Sequence, residues 1–487
     1  MSKQKSLKKN FIMNAILTMS TFIFPLITFP YVSRILGPAG NGKVSFVTSV
    51  ISYFSMFAQL GIPTYGIRAC AKVRDDKEAL TRTAHELLCI NMLMNVIAYS
   101  FLFISLLVVP RFQDDKILYV IISSTIFLTS IGMEWLYKAL EQYTYITIRS
   151  IVFKFIALIA MFLLIHRESD YITYGAITIL ASSASNIFNL INAHRYIGFK
   201  RVGNYNIKRH LKPVAVFFAM ACATTIYTHL DVVMLGFMAT DTDVGYYHAA
   251  VRIKTLLVSI VTSLGTVLLP RASYYIQHGK VDEFRRISRK ALNFVFFLAT
   301  PLVVYFIIFA KQGVYLLSGS AYTGAIEPMQ LIMPTLLLIG VTNILGIQIL
   351  VPTGREKVVL ISEVSGAIVD VIINAILIPV VVSSGAAIGT LVAEFVVFIV
   401  QYYALRNEVK EHFQSIHYIK IIIGIAIGSV LSLWVSMLHL SNFMTLLISS
   451  VIYFGAYAGF LLLTKEELVV EIFQQILRRF IFTTDNK

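Results

Sequence analysis

The chain is divided by long stretches that contain no Asp, Glu, Lys or Arg. They run over 10–33, 44–67, 87–110, 117–133, 171–194, 291–310, 328–354 and 421–464. A helix crossing the hydrocarbon core of a bilayer needs ~20 apolar residues. Each stretch matches that requirement, and the last is long enough for a hairpin of two helices broken near 438–442. Further apolar stretches carry isolated charges: one reaching 165 with Arg149 or Lys154 near its start, one from Pro213 containing Asp231, and 244–270 containing Arg252 and Lys254. The stretch 358–380 contains Glu363 and Asp370, and 385–405 contains Glu394. The expectation is an all-α polytopic membrane protein of about fourteen spans. Composition agrees: 57% of the 487 residues are hydrophobic and 14% charged, against about 25% charged in soluble proteins. Cys70, Cys89 and Cys222 are too few for a disulfide framework or a four-cysteine zinc site.

Charge sets the orientation. The net charge is +15, and cytoplasmic loops retain Lys and Arg. With the N-terminus inside, 32 of the 41 basic residues fall on inside segments, six outside (Arg34, Lys43, Arg111, Lys116, Arg167, Lys311) and three within spans (Lys154, Arg252, Lys254). A shift of one span destroys this alternation, so both termini are expected in the cytoplasm. Lys3, Lys5, Lys8 and Lys9 precede an apolar run too long for a signal peptide, which reads as a retained first helix. Trp135, Tyr137, Tyr143 and Tyr145 suggest an interfacial belt, Glu134 and Lys138 an ion pair four residues apart, and 465–480 an amphipathic helix on the inner leaflet.

Two landmarks recur. Ile35-Leu36-Gly37 followed by Gly42 resembles Met234-Leu235-Gly236 followed by Gly245, and Ile62-Pro63 resembles Leu269-Pro270, at offsets of 199 and 207 residues. Copies six spans apart share an orientation, which predicts two pseudo-symmetric six-helix bundles about an axis along the membrane normal. The expected division is an N-terminal bundle over 1–196, a basic linker over 197–212, a C-terminal bundle over 213–407, a helix pair over 408–464 and the tail 465–487.

No catalytic constellation is evident, so an enzyme is not expected. Residues 37–43 (GPAGNGK) mimic a phosphate-binding loop, but Val44 follows where a hydroxyl is required, and the segment follows a membrane helix. His229 and Asp231 lack further metal-ligand partners. What remains is charge inside the membrane, where a Lys, Arg or Asp costs ~2.5–3.5 kcal/mol and so faces a partner or a polar interior. One reading gives Arg252 and Lys254, with other basic residues, a cationic cavity for an anionic headgroup. A second makes Asp231, Asp370, Asn374 and Thr390, with Glu394 one turn below, an oxygen-lined site for sodium or a proton. A structural alternative pairs Asp231 with Arg252, and Glu394 with Lys254.

The segments 36–46 (LGPAGNGKVSF), 134–137 (EWLY), 145–149 (YITIR), 230–236 (LDVVMLG), 244–247 (VGYY), 352–357 (PTGREK) and 385–388 (GAAI) with Glu394 together resemble bacterial polysaccharide (O-antigen) repeat-unit flippases. These belong to the multidrug/oligosaccharidyl-lipid/polysaccharide exporter superfamily. The resemblance implies transport of an undecaprenyl-diphosphate-linked oligosaccharide to the outer leaflet of the bacterial cytoplasmic membrane, driven by sodium or protons, with no cofactor and no nucleic acid. Partners implied are membrane lipids, a polysaccharide polymerase and a chain-length regulator. It assigns Arg34, Arg68, Arg149, Lys154, Arg252 and Lys254 to the diphosphate, and Asp231, Asp370, Asn374 and Thr390 to the ion. Asn14, Asn91, Asn95, Asn186 and Asn189 are candidates for the sugar. The rivals are a multidrug antiporter of the same superfamily, with an acidic cavity, and a membrane polysaccharide polymerase, which would need a large outer loop. Fusing a reporter active only outside the cytoplasm at 112–115 is expected to give signal, and one at 200–204 none; the reverse pattern contradicts the orientation.

Overall fold

A computed structural model describes residues 7–467, 469–471 and 474. Among these residues the regular structure is entirely helical. Ten helices are long and apolar enough to cross a membrane, or eleven if the bent pair Ser320–Ile332 and Thr335–Leu350 forms one span. The protein is therefore a multi-pass membrane protein. Of the proposed tail helix, Leu468, Ile472, Phe473, Ile476, Leu477, Arg478, Arg479 and Phe480 lie outside the described residues, as do Lys3 and Lys5.

Two of the helical stretches are long enough to cross a bilayer twice. Lys9–Ala71 has 63 residues and Glu356–Gln414 has 59, whereas ~20 suffice at 1.5 Å per residue. The first breaks at Gly37, whose φ of 65° and ψ of −178° are open to glycine, followed by Pro38, which has no amide hydrogen. The other breaks at Val381 and Val382, where Val382 has a φ of 49°. A β-branched residue rarely adopts that conformation, so tertiary packing enforces this turn. The arms fold back antiparallel. Gln401 Nε2 donates to Ser362 Oγ at 3.0 Å, and Arg355 forms a fork with both carboxylate oxygens of Glu408 at 2.8 and 2.9 Å.

The chain forms two compact units, Met1–Gly245 and Tyr246–Lys487. In the first, Leu7–Gln59 packs against Lys77–Val108, Lys116–Gly132, Tyr143–Leu164 and Lys208–Met238. The helix Lys208–Met238 is first in the second copy of the repeat by sequence order, yet it packs within the first unit. Phe57 meets Phe218 with ring centroids 5.5 Å apart, and His229 Nδ1 lies 3.3 Å from Ser49 Oγ. The glycines of the repeat explain part of this. A Cβ on Gly42 would strike the Asp241 carbonyl, one on Gly245 the Pro38 carbonyl, and one on Gly236 the Phe46 ring. The two matching turns thus pack on each other, with no room for side chains.

Polar groups inside the first unit join helices. Asn91 Nδ2 donates to Ala58 O at 3.0 Å, Asn95 Nδ2 to Ser130 Oγ at 2.8 Å, and Asn189 Nδ2 to Gly132 O at 2.8 Å. Such bonds glue membrane helices because lipid offers no alternative partner. Glu134 and Lys138 pair at 2.8 Å, as their spacing predicts. Trp135 and Tyr137, expected at the membrane surface, are instead buried, with Trp135 against Gly66 and Tyr137 donating to Asn189 O.

The second unit contains Val281–Ile308, with Tyr418–Leu433 and Asn442–Leu463 packed as a pair against each other. Pro301 cannot donate to the carbonyl four residues earlier. That carbonyl belongs to Phe297, and Tyr457 OH donates to it at 3.0 Å. Tyr453 OH donates to Pro301 O at 3.1 Å and Tyr305 OH to Leu446 O at 2.9 Å, completing three staples. Beyond the last span, Glu466 accepts from Lys420 Nζ at 2.8 Å and His417 Nδ1 at 2.9 Å. Burial alone would raise its carboxyl, but these two donors outweigh burial and hold it below the usual carboxylate range. A depressed folded value contributes stability above the unfolded value of about 4.3, which is lost as pH falls through the folded value.

The variant Tyr457→Phe leaves the Phe297 carbonyl buried and unmatched, a cost of ~1–3 kcal/mol. Its unfolding temperature in detergent is expected to fall below wild type, and equal temperatures would contradict the staple.

Candidate functional site

The hairpin Glu356–Gln414 brings together three of the expected ion-site residues. Asp370 and Asn374 lie one turn apart on the ascending arm, and Asn374 Nδ2 donates to Asp370 Oδ1 at 3.3 Å. The descending arm meets them at Gly389. A Cβ there would collide with Asn374 Oδ1 and lie 3.0 Å from Asp370 Oδ1. Only a residue without a side chain lets the arms close around these oxygens. Thr390, next in the chain, donates to Ala386 O at 3.0 Å, which leaves the Tyr247 hydroxyl to donate to Thr390 Oγ1 at 2.8 Å. Asp370, Asn374 and Thr390 are all buried, as is Glu394 one turn further on.

The donor set is a carboxylate, an amide oxygen and hydroxyls. Such hard oxygens suit an alkali or alkaline-earth cation or a proton, not zinc or copper. No group of three or more His, Cys, Asp and Glu that could hold a metal ion occurs among the described residues. Asp231 is also buried, near the end of Lys208–Met238, and lies in the first unit. Gly389 and Tyr247 belong to this cluster but were not singled out from sequence. Their signals were present: Gly389 directly follows the run 385–388, and Tyr247 ends the run 244–247.

The cations take several environments. Arg252 and Lys254 are half-buried on Asp241–Gln277, in the second unit. In the first unit, Arg149 is buried and its Nη1 donates to Ser185 O at 2.8 Å and Asn186 Oδ1 at 2.9 Å. Ser185 follows a π-helical turn, Leu180–Ala184, and its carbonyl also accepts from Phe188 N at 3.1 Å, so Arg149 adds a second donor there. Lys154 Nζ donates to Ser20 Oγ at 2.7 Å. Arg34 and Arg68 are exposed, and Arg34 Nη1 donates to Pro30 O of its own helix at 2.6 Å. Among the proposed sugar ligands, Asn91, Asn95, Asn186 and Asn189 hold helix seams, as described above.

A charged cluster around Arg111 and Asp115 went unrecognised in the sequence. Arg111 Nε donates to Gly236 O at 2.9 Å, its Nη2 pairs with Asp241, and its guanidinium lies 5.0 Å from the Phe46 ring centroid. Asp115 accepts from Lys43 Nζ at 3.3 Å and Tyr171 OH at 2.9 Å. These residues hold the repeat-related turns together at their rim.

Broken apolar helices, a glycine-closed oxygen cluster and half-buried cations define a multi-pass membrane protein with a transporter-type fold. Solved structures share it. A lipid II flippase, MurJ, in an inward closed conformation superimposes with a TM-score of 0.74 at 16% identity, covering 94% of this chain and 100% of that one. An inward-facing multidrug resistance MATE family transporter of the MOP superfamily gives a TM-score of 0.62 at 14% identity, covering 83% and 99%. The chain belongs to the polysaccharide biosynthesis protein family, whose profile matches residues 7–276. The MatE profile matches residues 216–376. A "Putative O-antigen transporter" of Escherichia coli is 26% identical over 354 residues, covering 72% of this chain and 85% of that protein. A protein of the same name from Shigella dysenteriae is 23% identical over 384 residues, covering 75% and 91%.

The variant Gly389→Val is expected to push the hairpin arms apart and lower thermal stability by ~1–3 kcal/mol. Unchanged stability in detergent would contradict the close approach at Asn374.

Proposed function

We propose that this protein is a flippase that moves undecaprenyl-diphosphate-linked oligosaccharide repeat units from the inner to the outer leaflet of the bacterial cytoplasmic membrane. Transport proceeds by alternating access, with both termini in the cytoplasm and fourteen spans. The observation that carries this reading is that Arg252 and Lys254 are half-buried on the helix Asp241–Gln277 of a chain so poor in charge, in a family of polysaccharide biosynthesis proteins. A diphosphate loses its hydration on entering a protein interior and needs cations to replace it. Arg34, Arg68, Arg149 and Lys154 are the further candidates. The headgroup is carried within the protein, and the isoprenoid tail stays in lipid.

The driving force is an ion gradient. Asp370, Asn374 and Thr390 form the coupling site for sodium or a proton, supported by the hard-oxygen donor set closed by Gly389, and Asp231 is a further candidate in the coupling. Binding in one state and release in another biases the equilibrium between them. A polymerase and a chain-length regulator act on the product outside. The work is transport, not bond chemistry, and no step calls for a cofactor.

The MatE match over 216–376 favours a second reading, multidrug antiport. That function requires a site attractive to organic cations, which Arg252 and Lys254 oppose.

In a strain lacking this protein, Arg252→Gln is expected to abolish surface polysaccharide at wild-type protein level; full complementation would remove Arg252 from the mechanism. Drug resistance on overexpression, without polysaccharide export, would support the antiporter instead. Flipping in vesicles is expected to depend on a sodium or proton gradient and to lose that dependence in Asp231→Asn. Retained dependence would reject the ion assignment.

A further inference from the structure

The segment between the two copies of the repeat, 197–212, contains six-residue neighbourhoods of opposite character: cations at Lys200, Arg201, Lys208, Arg209 and Lys212, and apolar side chains at Phe199, Ile207 and Leu211. Phe199, Ile207 and Leu211 are 58%, 39% and 49% exposed. From 171 to 230 there is no Asp or Glu at all. Single exposed apolar side chains are common on protein surfaces, but a solvated linker gains nothing from three of them interleaved with cations. An interfacial segment does, because the apolar groups enter the acyl boundary while the cations meet anionic headgroups.

The segment is also held in place. Glu86, buried in the helix Lys77–Val108, accepts from Asn206 N at 2.6 Å, Arg209 Nε at 3.0 Å and Nη2 at 2.5 Å, and His210 Nε2 at 2.7 Å. His210 Nδ1 lies 2.8 Å from Tyr65 OH. Next to Glu86 in the chain, His85 meets Gly198 O at 2.8 Å and Tyr205 OH at 3.0 Å, and one turn earlier Arg82 Nε donates to Gly203 O at 3.2 Å. The non-helical backbone is therefore pinned along its length. Glu86 pairs with Arg209, whose side chain stays exposed, as Lys200, Arg201, Lys208 and Lys212 are.

We propose that this pinned segment is a membrane-surface docking element: Phe199, Ile207 and Leu211 insert at the bilayer interface, and Lys200, Arg201, Lys208 and Lys212 bind the headgroups of anionic phospholipids. The Glu86 clamp fixes how the element is presented. The cytoplasmic leaflet as its location rests on the orientation proposed above. Contact with lipid does not depend on transport.

The test uses the full chain in bilayers of equal composition on both faces. A nitroxide is attached at Phe199→Cys after replacing Cys70, Cys89 and Cys222. In bilayers containing phosphatidylglycerol, the label is expected to collide with oxygen in preference to an aqueous nickel chelate. That preference is expected to fall by about half or more in phosphatidylcholine alone and in the combined K200Q, R201Q, K208Q and K212Q variant. A label open to the nickel chelate in both bilayers would overturn the proposal, as it would for a segment reserved for an acidic protein. Preference unaltered by anionic lipid and by the four substitutions would also overturn it. Glu86→Gln is expected to sharpen the nitroxide spectrum by freeing the segment. If that variant does not accumulate, Arg209→Gln removes the same pair from its solvent side. An unchanged spectrum in the folded variant overturns the clamp. Polysaccharide export by the wild type tests the transport reading separately, so the two can fail independently.

Discussion

A hydrocarbon interior offers no hydrogen-bond partner, so every polar group placed in it must be satisfied by the protein itself. Helices follow at once, since they pair their own backbone. The less regular features follow too. Pro301 leaves a carbonyl without its donor, and Tyr457 supplies one. The π-helical turn at Leu180–Ala184 is bordered by Ser185, whose carbonyl takes Arg149. Asn91, Asn95 and Asn189 face carbonyls and hydroxyls on neighbouring helices, not lipid.

The same constraint gives intramembrane charge its meaning. A buried carboxylate or guanidinium persists only where it is compensated or where it compensates a ligand. Asp370 is gathered with Asn374 and Thr390 by the close approach of Gly389, which concentrates oxygen atoms at one point. Arg149 and Lys154 are partly engaged by protein groups already, whereas Arg34 and Arg68 remain at the surface. A cation with protein partners can still bind substrate if those partners release it during a change of state. The interior is thus a polar network in which a ligand must compete.

Much of the architecture was legible in the primary structure because the spans are written in it as uncharged runs. The Glu134–Lys138 pair and the shared face of Asp370 and Asn374 followed from helical spacing, whereas Thr390 was grouped with them by its depth in the next span. Other features were hidden because they depend on which helices meet. The break between 380 and 385 was placed from the two apolar stretches, but nothing in Val381-Val382 announces a positive φ, which valine disfavours. Trp135 and Tyr137 look like interfacial residues until Gly66 and Asn189 are seen to enclose them. The two Leu-Gly turns were readable as similar in sequence, but their packing on each other needed three dimensions. Sequence leaves the asparagines open to a sugar or to helix packing, because it shows a polar group and not its partner; Asn91, Asn95, Asn186 and Asn189 each bond to a neighbouring helix.

The central claim is that cations sheltered by protein replace water around a diphosphate on its way through lipid. The most direct measurement is flipping by the purified protein in proteoliposomes, comparing an isoprenoid-diphosphate oligosaccharide with a glycolipid of the same sugar and tail joined without phosphate. The account predicts rapid translocation of the diphosphate lipid and little of the neutral one. Equal rates for both, or preference for the neutral lipid, would contradict it.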